Sequence, residues 1–149
     1  MRWMILLPGF LGLAAVLQGG LNRQVAGQWG LAGAALFNTL VLLAAVGLLL
    51  LLVCTRPAAL PDFFQVKGAL AQFRWWWILP GLFGFALVTG IPFAISRLGA
   101  FPVFLGILVG QMITSLAWDA VLEGRPLTLP KVCGALLAVA AAVLVGRGK

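Results

Sequence analysis

The residues of this chain that could do chemistry are a few polar side chains within long apolar segments. No charged residue lies between Arg97 and Asp119, and as a helix this stretch can span a hydrocarbon core about 30 Å thick. Within it, Gln111, Ser115 and Trp118 share one helical stripe that ends on Asp119. Polar groups at membrane depth are costly and tend to be functional. The stripe therefore predicts a polar, functional face on a membrane helix.

Several side chains are candidate substrate-binding groups, because each lies in or beside an apolar segment and can hydrogen-bond or stack on a ligand. They are Gln18, Asn22, Asn38, Gln111, Thr114, Ser115 and Trp118. Asparagine, glutamine and threonine at such depth can also simply bond a neighbouring helix. This structural role is the preferred interpretation for Asn38, Thr89 and Thr114, and both interpretations stay open for the remaining amides.

Asp119 is the candidate coupling residue. A carboxylate at the C-terminal end of a helix opposes the helix dipole, so its presence there needs a reason. One interpretation is a proton-coupling or cation-attracting site at the mouth of a cavity. The other, which is preferred, is an ion pair with Arg125, Lys131 or another loop cation.

Two stripes of small residues predict close helix packing. Gly106 and Gly110 form a GxxxG pair that Thr114 and Ala117 continue at helical spacing, and small residues let two helix backbones approach closely. The last apolar segment carries a second small face, and a contact with a second copy of the chain is expected there. This second face consists of Gly134, Ala138, Ala141 and Ala142.

The composition excludes a soluble domain. The chain is 63% hydrophobic and 9% charged, with a mean hydropathy of +1.14, whereas a soluble domain has about 25% charged residues. Lipid is therefore expected to be its solvent. The net charge of +7 does not indicate nucleic-acid binding, because the ten lysines and arginines are dispersed at segment ends, where they anchor helices at lipid headgroups.

The sequence gives little support to metal or catalytic chemistry. Histidine is absent, and Cys54 and Cys133 have no metal-ligand spacing, so they are interpreted as small apolar filler. No metal and no other cofactor is expected. No nucleophile and base form a recognisable pair, so an enzyme is not expected, and a membrane enzyme is the remotest alternative.

The apolar segments predict an all-α membrane protein with five transmembrane helices in a single domain, residues 1–149. The expected helices cover about residues 3–21, 31–54, 75–95, 101–118 and 130–146. The first segment also resembles a signal peptide, but it lacks a clear small-residue cleavage site and further spans follow it. A polar turn is expected before residue 31, although residues 24–30 could instead extend a helix.

The connection over residues 56–74 is the longest between predicted helices. Its two prolines, Asp62 and Lys67 mark it as interfacial. Its apolar residues could form a short amphipathic segment lying on the membrane. These residues are Phe63, Phe64, Val66, Leu70 and Phe73.

Prolines and glycines predict irregularities around the third helix. Pro80-Gly81 and the Gly90–Pro92 pair are expected to break it locally. A bend that serves packing is the preferred interpretation, and a mobile gate hinge is the functional one. A tight turn into the fourth helix is expected over residues 96–98.

Charge gives only a weak bias to the orientation. With five spans, the side of Met1 receives six cations, which are Arg2, Arg56, Lys67, Arg74, Arg125 and Lys131. The other side receives four, which are Arg23, Arg97, Arg147 and Lys149. Two interpretations fit: the chain inserts with Met1 in the cytoplasm, or it inserts in both orientations. The tryptophan cluster at residues 75–77 is interpreted as a membrane belt in preference to an aromatic cage for cations.

Four stretches carry a family resemblance. They are QGGLN (18–22), WWWILPGLFGFALVTGIPFAISRLGA (75–100), GQMITSLAWD (110–119) and GRPLTLPKVCGALLAVAAAVLV (124–145). Because these four stretches occur in this order and at this spacing, the chain resembles the drug/metabolite transporter superfamily. It resembles in particular the YdcZ-like branch of five-helix bacterial proteins. It departs from the branch at Gly19, where alanine is more common, and in the proline-rich connection over residues 56–74.

The resemblance implies a multi-pass exporter of the bacterial inner membrane that forms one half of an inverted-repeat transporter. Such a half is completed by an antiparallel homodimer, with dual topology, or by an oppositely oriented paralogue. The expected function is alternating-access export of a small amphipathic or cationic metabolite, with membrane lipid and the substrate as the other partners. A non-transporting accessory or structural subunit is the alternative.

Overall fold

The computed structural model describes residues 6–67 and 73–147, and these residues form helices without any strand. The α-helices are α1 (Leu7–Thr55), α2 (Leu79–Leu98), α3 (Ala100–Val121) and α4 (Leu129–Arg147). Short 3-10 turns cover Pro57–Ala59, Asp62–Phe64 and Trp75–Ile78. The predicted all-α class is confirmed. Arg2, residue 3, Leu70 and Lys149, which entered the predictions, lie outside the described residues.

The helices are long and apolar enough to cross a membrane. By length and composition this holds for Leu7–Thr55, Trp75–Leu98, Ala100–Val121 and Leu129–Arg147. Few hydrophobic side chains in the described residues are buried, namely Ala34, Val53, Ile95, Val103 and Ala135. Most of the apolar surface therefore needs lipid, or another chain, to cover it.

Helix α1 is two helices joined at one glycine. A straight helix of 49 residues would be about 70 Å long, more than twice the thickness of a hydrocarbon core. Gly30 interrupts it with φ 75° and ψ 163°, a backbone conformation that only glycine adopts readily. The resulting segments, residues 7–29 and 31–55, are each long enough for one crossing. A count of five crossings remains a prediction.

The polar turn predicted before residue 31 is therefore much shorter in the structure. Residues 22–29 are helical and extend the first segment, and the reversal takes a single residue. The polarity of this stretch indicated a turn, but it contains no proline, and its arginine and glutamines are good helix formers. Only Gly30 leaves the helical conformation.

Gly99 repeats this one-residue connection. Its φ of 84° and ψ of 162° are close to those of Gly30, and it lies between the end of α2 at Leu98 and the start of α3 at Ala100. The turn predicted over residues 96–98 is wrong, because these residues are the last turn of α2. Leu98 can stay helical because the glycine that follows it supplies the positive φ.

Helix α2 is continuous where a break was expected. Pro92 lies inside it, so the carbonyl of Val88 lacks the usual N–H partner, yet the helix runs on to Leu98. Near Pro80 the structure does change, from the 3-10 turn Trp75–Ile78 to α-helix at Leu79. The uninterrupted helix therefore does not support a gate hinge at residues 90–92.

The chain divides into two compact units, residues 1–20 with 94–149 and residues 21–93. In the first unit α3 packs against α4. A Cβ atom placed on Gly134 would lie 3.6 Å from Cε of Met112, so a small residue at this position lets the two helices approach. The Gly134 end of the predicted dimer face is thus in contact with α3 of its own chain.

Candidate functional site

Two asparagines meet inside the unit of residues 21–93. Asn22 Nδ2 donates a hydrogen bond to Asn38 Oδ1 at 3.3 Å, although the residues are 16 positions apart. On a straight helix that separation would be about 24 Å. The chain must therefore fold back at Gly30, which is equally distant from both, and this reversal brings the two amides together.

Aromatic packing supports the reversal close to its turn. The rings of Trp29 and Phe37 lie edge to face, with centroids 5.9 Å apart and an interplanar angle of 83°. Gly33 passes so near that a Cβ atom on it would lie 3.0 Å from Cβ of Trp29. The two segments are therefore closely packed here, and any side chain at position 33 would force Trp29 to move.

The amide pair is a polar contact between two largely apolar helical segments. Both asparagines are half-buried. An amide side chain offers both a donor and an acceptor, so it can hydrogen-bond across two helical segments. The hydrogen bond joins two helical segments, which is what the structural interpretation of Asn38 predicts. The substrate-binding role of both residues remains a prediction.

The polar stripe of α3 lies on the surface of the chain. Gln111, Ser115 and Trp118 are exposed, and Ser115 Oγ donates to the backbone oxygen of Gln111 at 2.6 Å. This hydroxyl is thus satisfied by its own helix, as are those of Thr39, Thr55 and Thr89. The stripe therefore offers the Gln111 amide and the Trp118 ring to a ligand or a partner more readily than it offers hydroxyl groups.

The small-residue stripe of α3 is also uncovered. Gly106, Gly110 and Thr114 are exposed, and a Cβ atom on either glycine would meet no atom within 4 Å apart from the adjacent backbone of its own helix. Helix α4 thus packs on a different side of α3, the side of Met112. A face of this kind, left open in a single chain, suits close approach by another helix.

Asp119 forms an ion pair at the end of α3. Its Oδ2 lies 2.8 Å from Nζ of Lys131, on the first turn of α4, and Lys131 donates a hydrogen bond across this distance. The predicted pairing with a loop or helix-start cation is thus observed, and the partner is Lys131. Nη2 of Arg125 lies instead 3.8 Å from Oε2 of Glu123. The backbone N–H of Arg125 donates a hydrogen bond to the backbone oxygen of Asp119 at 2.8 Å.

The Asp119–Lys131 pair is partly exposed. The two side chains remain 29% and 39% exposed, respectively. Ion pairs with this degree of exposure contribute little to stability, because water and salt screen them. The carboxylate is therefore accessible to solvent as well as to Lys131.

The predicted residues are divided between the two units. The amide pair belongs to the unit of residues 21–93, whereas the ion pair, the α3 stripe and the exposed Gln18 belong to the other unit. The contribution of Trp29 to the reversal was not predicted from the sequence, and the glycine directly after it was the available signal. Lys131 was one of the cations predicted to pair with Asp119.

Metal chemistry finds no site in the part of the chain that the structure describes. Within residues 6–67 and 73–147, no three histidine, cysteine, aspartate or glutamate residues group closely enough to hold a metal ion. Cys54 and Cys133 are both exposed and free.

Comparison with known proteins gives one finding. The profile of a protein family described as "Putative inner membrane exporter, YdcZ" matches residues 3–144, which is nearly the whole chain. No curated protein and no solved structure matches it.

Proposed function

The chain belongs to the YdcZ family of inner membrane proteins, and from this premise we propose that it is a secondary-active exporter of a small amphipathic or cationic metabolite. The family match carries the proposal. It agrees with a chain whose long helices are apolar enough to cross a membrane and yet carry polar groups along their length. The proposed location is the bacterial inner membrane.

Two places in the chain support a substrate path. The Asn22–Asn38 pair lies within an apolar helical reversal, and the α3 stripe presents Gln111 and Trp118. Amides orient polar groups of a ligand, and an indole ring binds its apolar or cationic part. Together with Gln18, Thr114 and Ser115, these residues are our candidates for substrate contacts.

A pair of oppositely oriented chains would complete the transporter. The superfamily that the sequence resembles uses two inverted repeats, and the five helices predicted in residues 1–149 correspond to one of them. The open Gly106–Gly110 face of α3 supports a close contact with a second helix, and the weak charge bias of the sequence permits both orientations. We propose an antiparallel homodimer that works by alternating access.

Asp119 would couple the substrate to the driving ion. In the resting chain its carboxylate holds the ammonium group of Lys131. A proton or a cationic substrate would displace this group, and the α3–α4 contact would respond because the ion pair joins the two helices. The weakness of an exposed ion pair supports such an exchange.

Flux through liposomes that contain only this protein tests the proposal. Ethidium, an amphipathic cation, would serve as the transported probe, and an imposed proton gradient as the driving force. We expect protein-dependent ethidium movement that a protonophore stops. Flux equal to that of protein-free liposomes, for ethidium and for a panel of other amphipathic cations, would contradict the proposal and favour the accessory subunit.

A further inference from the structure

The most exposed large hydrophobic side chain of the described residues lies outside the spanning helices. Phe63 is 92% exposed. It belongs to the turn Asp62–Phe64, in the connection that follows α1. Apolar side chains on the spans have lipid as their solvent, but a connection surrounded by water would leave this ring hydrated. Its position therefore needs a separate explanation.

Hydrogen bonds from one side chain hold this connection in shape. Gln65 Nε2 donates to the backbone oxygen of Pro57 at 2.7 Å and, more weakly, to that of Leu60 at 3.5 Å. The rings of Phe63 and Phe64 lie edge to face, with centroids 6.0 Å apart. The connection is thus preformed around Gln65, and it presents its aromatic pair without further ordering.

The ends of the connection place it at the membrane surface. Helix α1 ends at Thr55, and the next span begins with the tryptophans of Trp75–Ile78, a residue type enriched at the membrane interface. Arg56 and Lys67 flank the aromatic pair and are exposed. Long basic side chains at this depth reach lipid phosphates while apolar groups lie deeper.

We propose that residues 56–67 form an interfacial anchor whose partner is the phospholipid bilayer. Phe63 and Phe64 insert at the boundary between headgroups and acyl chains, and Arg56 and Lys67 bind lipid phosphates. The anchor fixes the depth of the 31–55 segment in the bilayer. It acts in this way whatever the chain transports.

Spin labelling of the full-length protein in liposomes of phosphatidylcholine and phosphatidylglycerol tests this anchor. A nitroxide is attached at Phe63→Cys in a background that lacks Cys54 and Cys133, and at Glu123→Cys as the reference for an exposed, water-facing connection. At position 63 we expect collisions with oxygen, which dissolves in lipid, to exceed those with a water-soluble nickel complex. At position 123 we expect the opposite order.

Other outcomes of this measurement would overturn the anchor. Nickel accessibility at position 63 as high as at position 123 would place the ring in water. An immobilised label that neither reagent reaches would place it against protein, either this chain or a second copy. Gln65→Ala provides a further test: loss of its two hydrogen bonds should increase the mobility of the label at position 63 and lower its oxygen preference, and unchanged values would contradict the role of Gln65.

Discussion

Replacement of Asp119 by asparagine is expected to reduce gradient-driven flux to that of protein-free liposomes. Asparagine keeps the size of the side chain but removes the charge that a proton or a cation would bind. The residue is half-exposed at the end of α3, so the change leaves no cavity and should not prevent assembly. Flux in liposomes measures the effect, and gel filtration in detergent checks the assembly.

The chain offers matched controls for this substitution. Its three acidic residues are Asp62, Asp119 and Glu123, and neutral amides at positions 62 and 123 should leave the flux unchanged. Lys131→Gln breaks the same ion pair but keeps the carboxylate, so it should retain ethidium movement while weakening its dependence on the proton gradient. Equal loss in the Asp119 and Lys131 variants would show that the ion pair serves structure only, and full flux in Asp119→Asn would exclude coupling at this residue.

Replacement of Gly30 by alanine should destabilise the chain by about 1–3 kcal/mol, which is the cost of holding a non-glycine residue in a sparsely populated backbone conformation. Gly30 has φ 75° and ψ 163°. The space around it is open, so the effect comes from the backbone rather than from a clash. Unfolding in mixed detergent micelles with increasing sodium dodecyl sulfate, followed by circular dichroism, measures the change in free energy.

Gly27 provides a control of opposite sign. It lies in the same helical segment, has a helical backbone and also has open space around it. Alanine there should stabilise the helix by roughly 0.5–1 kcal/mol, because glycine loses more conformational freedom on folding. If both variants changed stability in the same direction and by the same amount, Gly30 would not be the conformational requirement that we assign to it.

Much of the fold could be predicted from apolar length alone. A membrane helix needs about 20 consecutive apolar residues, and the sequence has such stretches wherever the structure has long helices. The connections between the helices were harder to predict. Polarity indicated turns before residue 31 and at residues 96–98, whereas the structure turns at Gly30 and Gly99. The deciding property is a positive φ, and in a chain rich in helical glycines the residue type does not show which of them adopt it.

The residues of the candidate site could be predicted one by one, but the contacts between them could not. The cost of burying polar groups singled out Asn22, Asn38 and Asp119. That the two asparagines bond to each other depends on where the chain reverses, which a pattern of single residues does not specify. The choice of Lys131 over Arg125 as partner of Asp119 likewise depends on the packing of α4 against α3.

The antiparallel pair that we propose would bring together two inverted repeats, one from each chain. Cysteine labelling tests it without knowledge of the substrate. Single cysteines at Ser96 and Glu123, in a background that lacks Cys54 and Cys133, are exposed to a membrane-impermeant reagent from each side in turn. If the chain forms an antiparallel homodimer, each position should be labelled to a comparable extent from both sides. Labelling of each position from one side only would contradict the antiparallel homodimer and would favour a separate partner of opposite orientation or a parallel assembly.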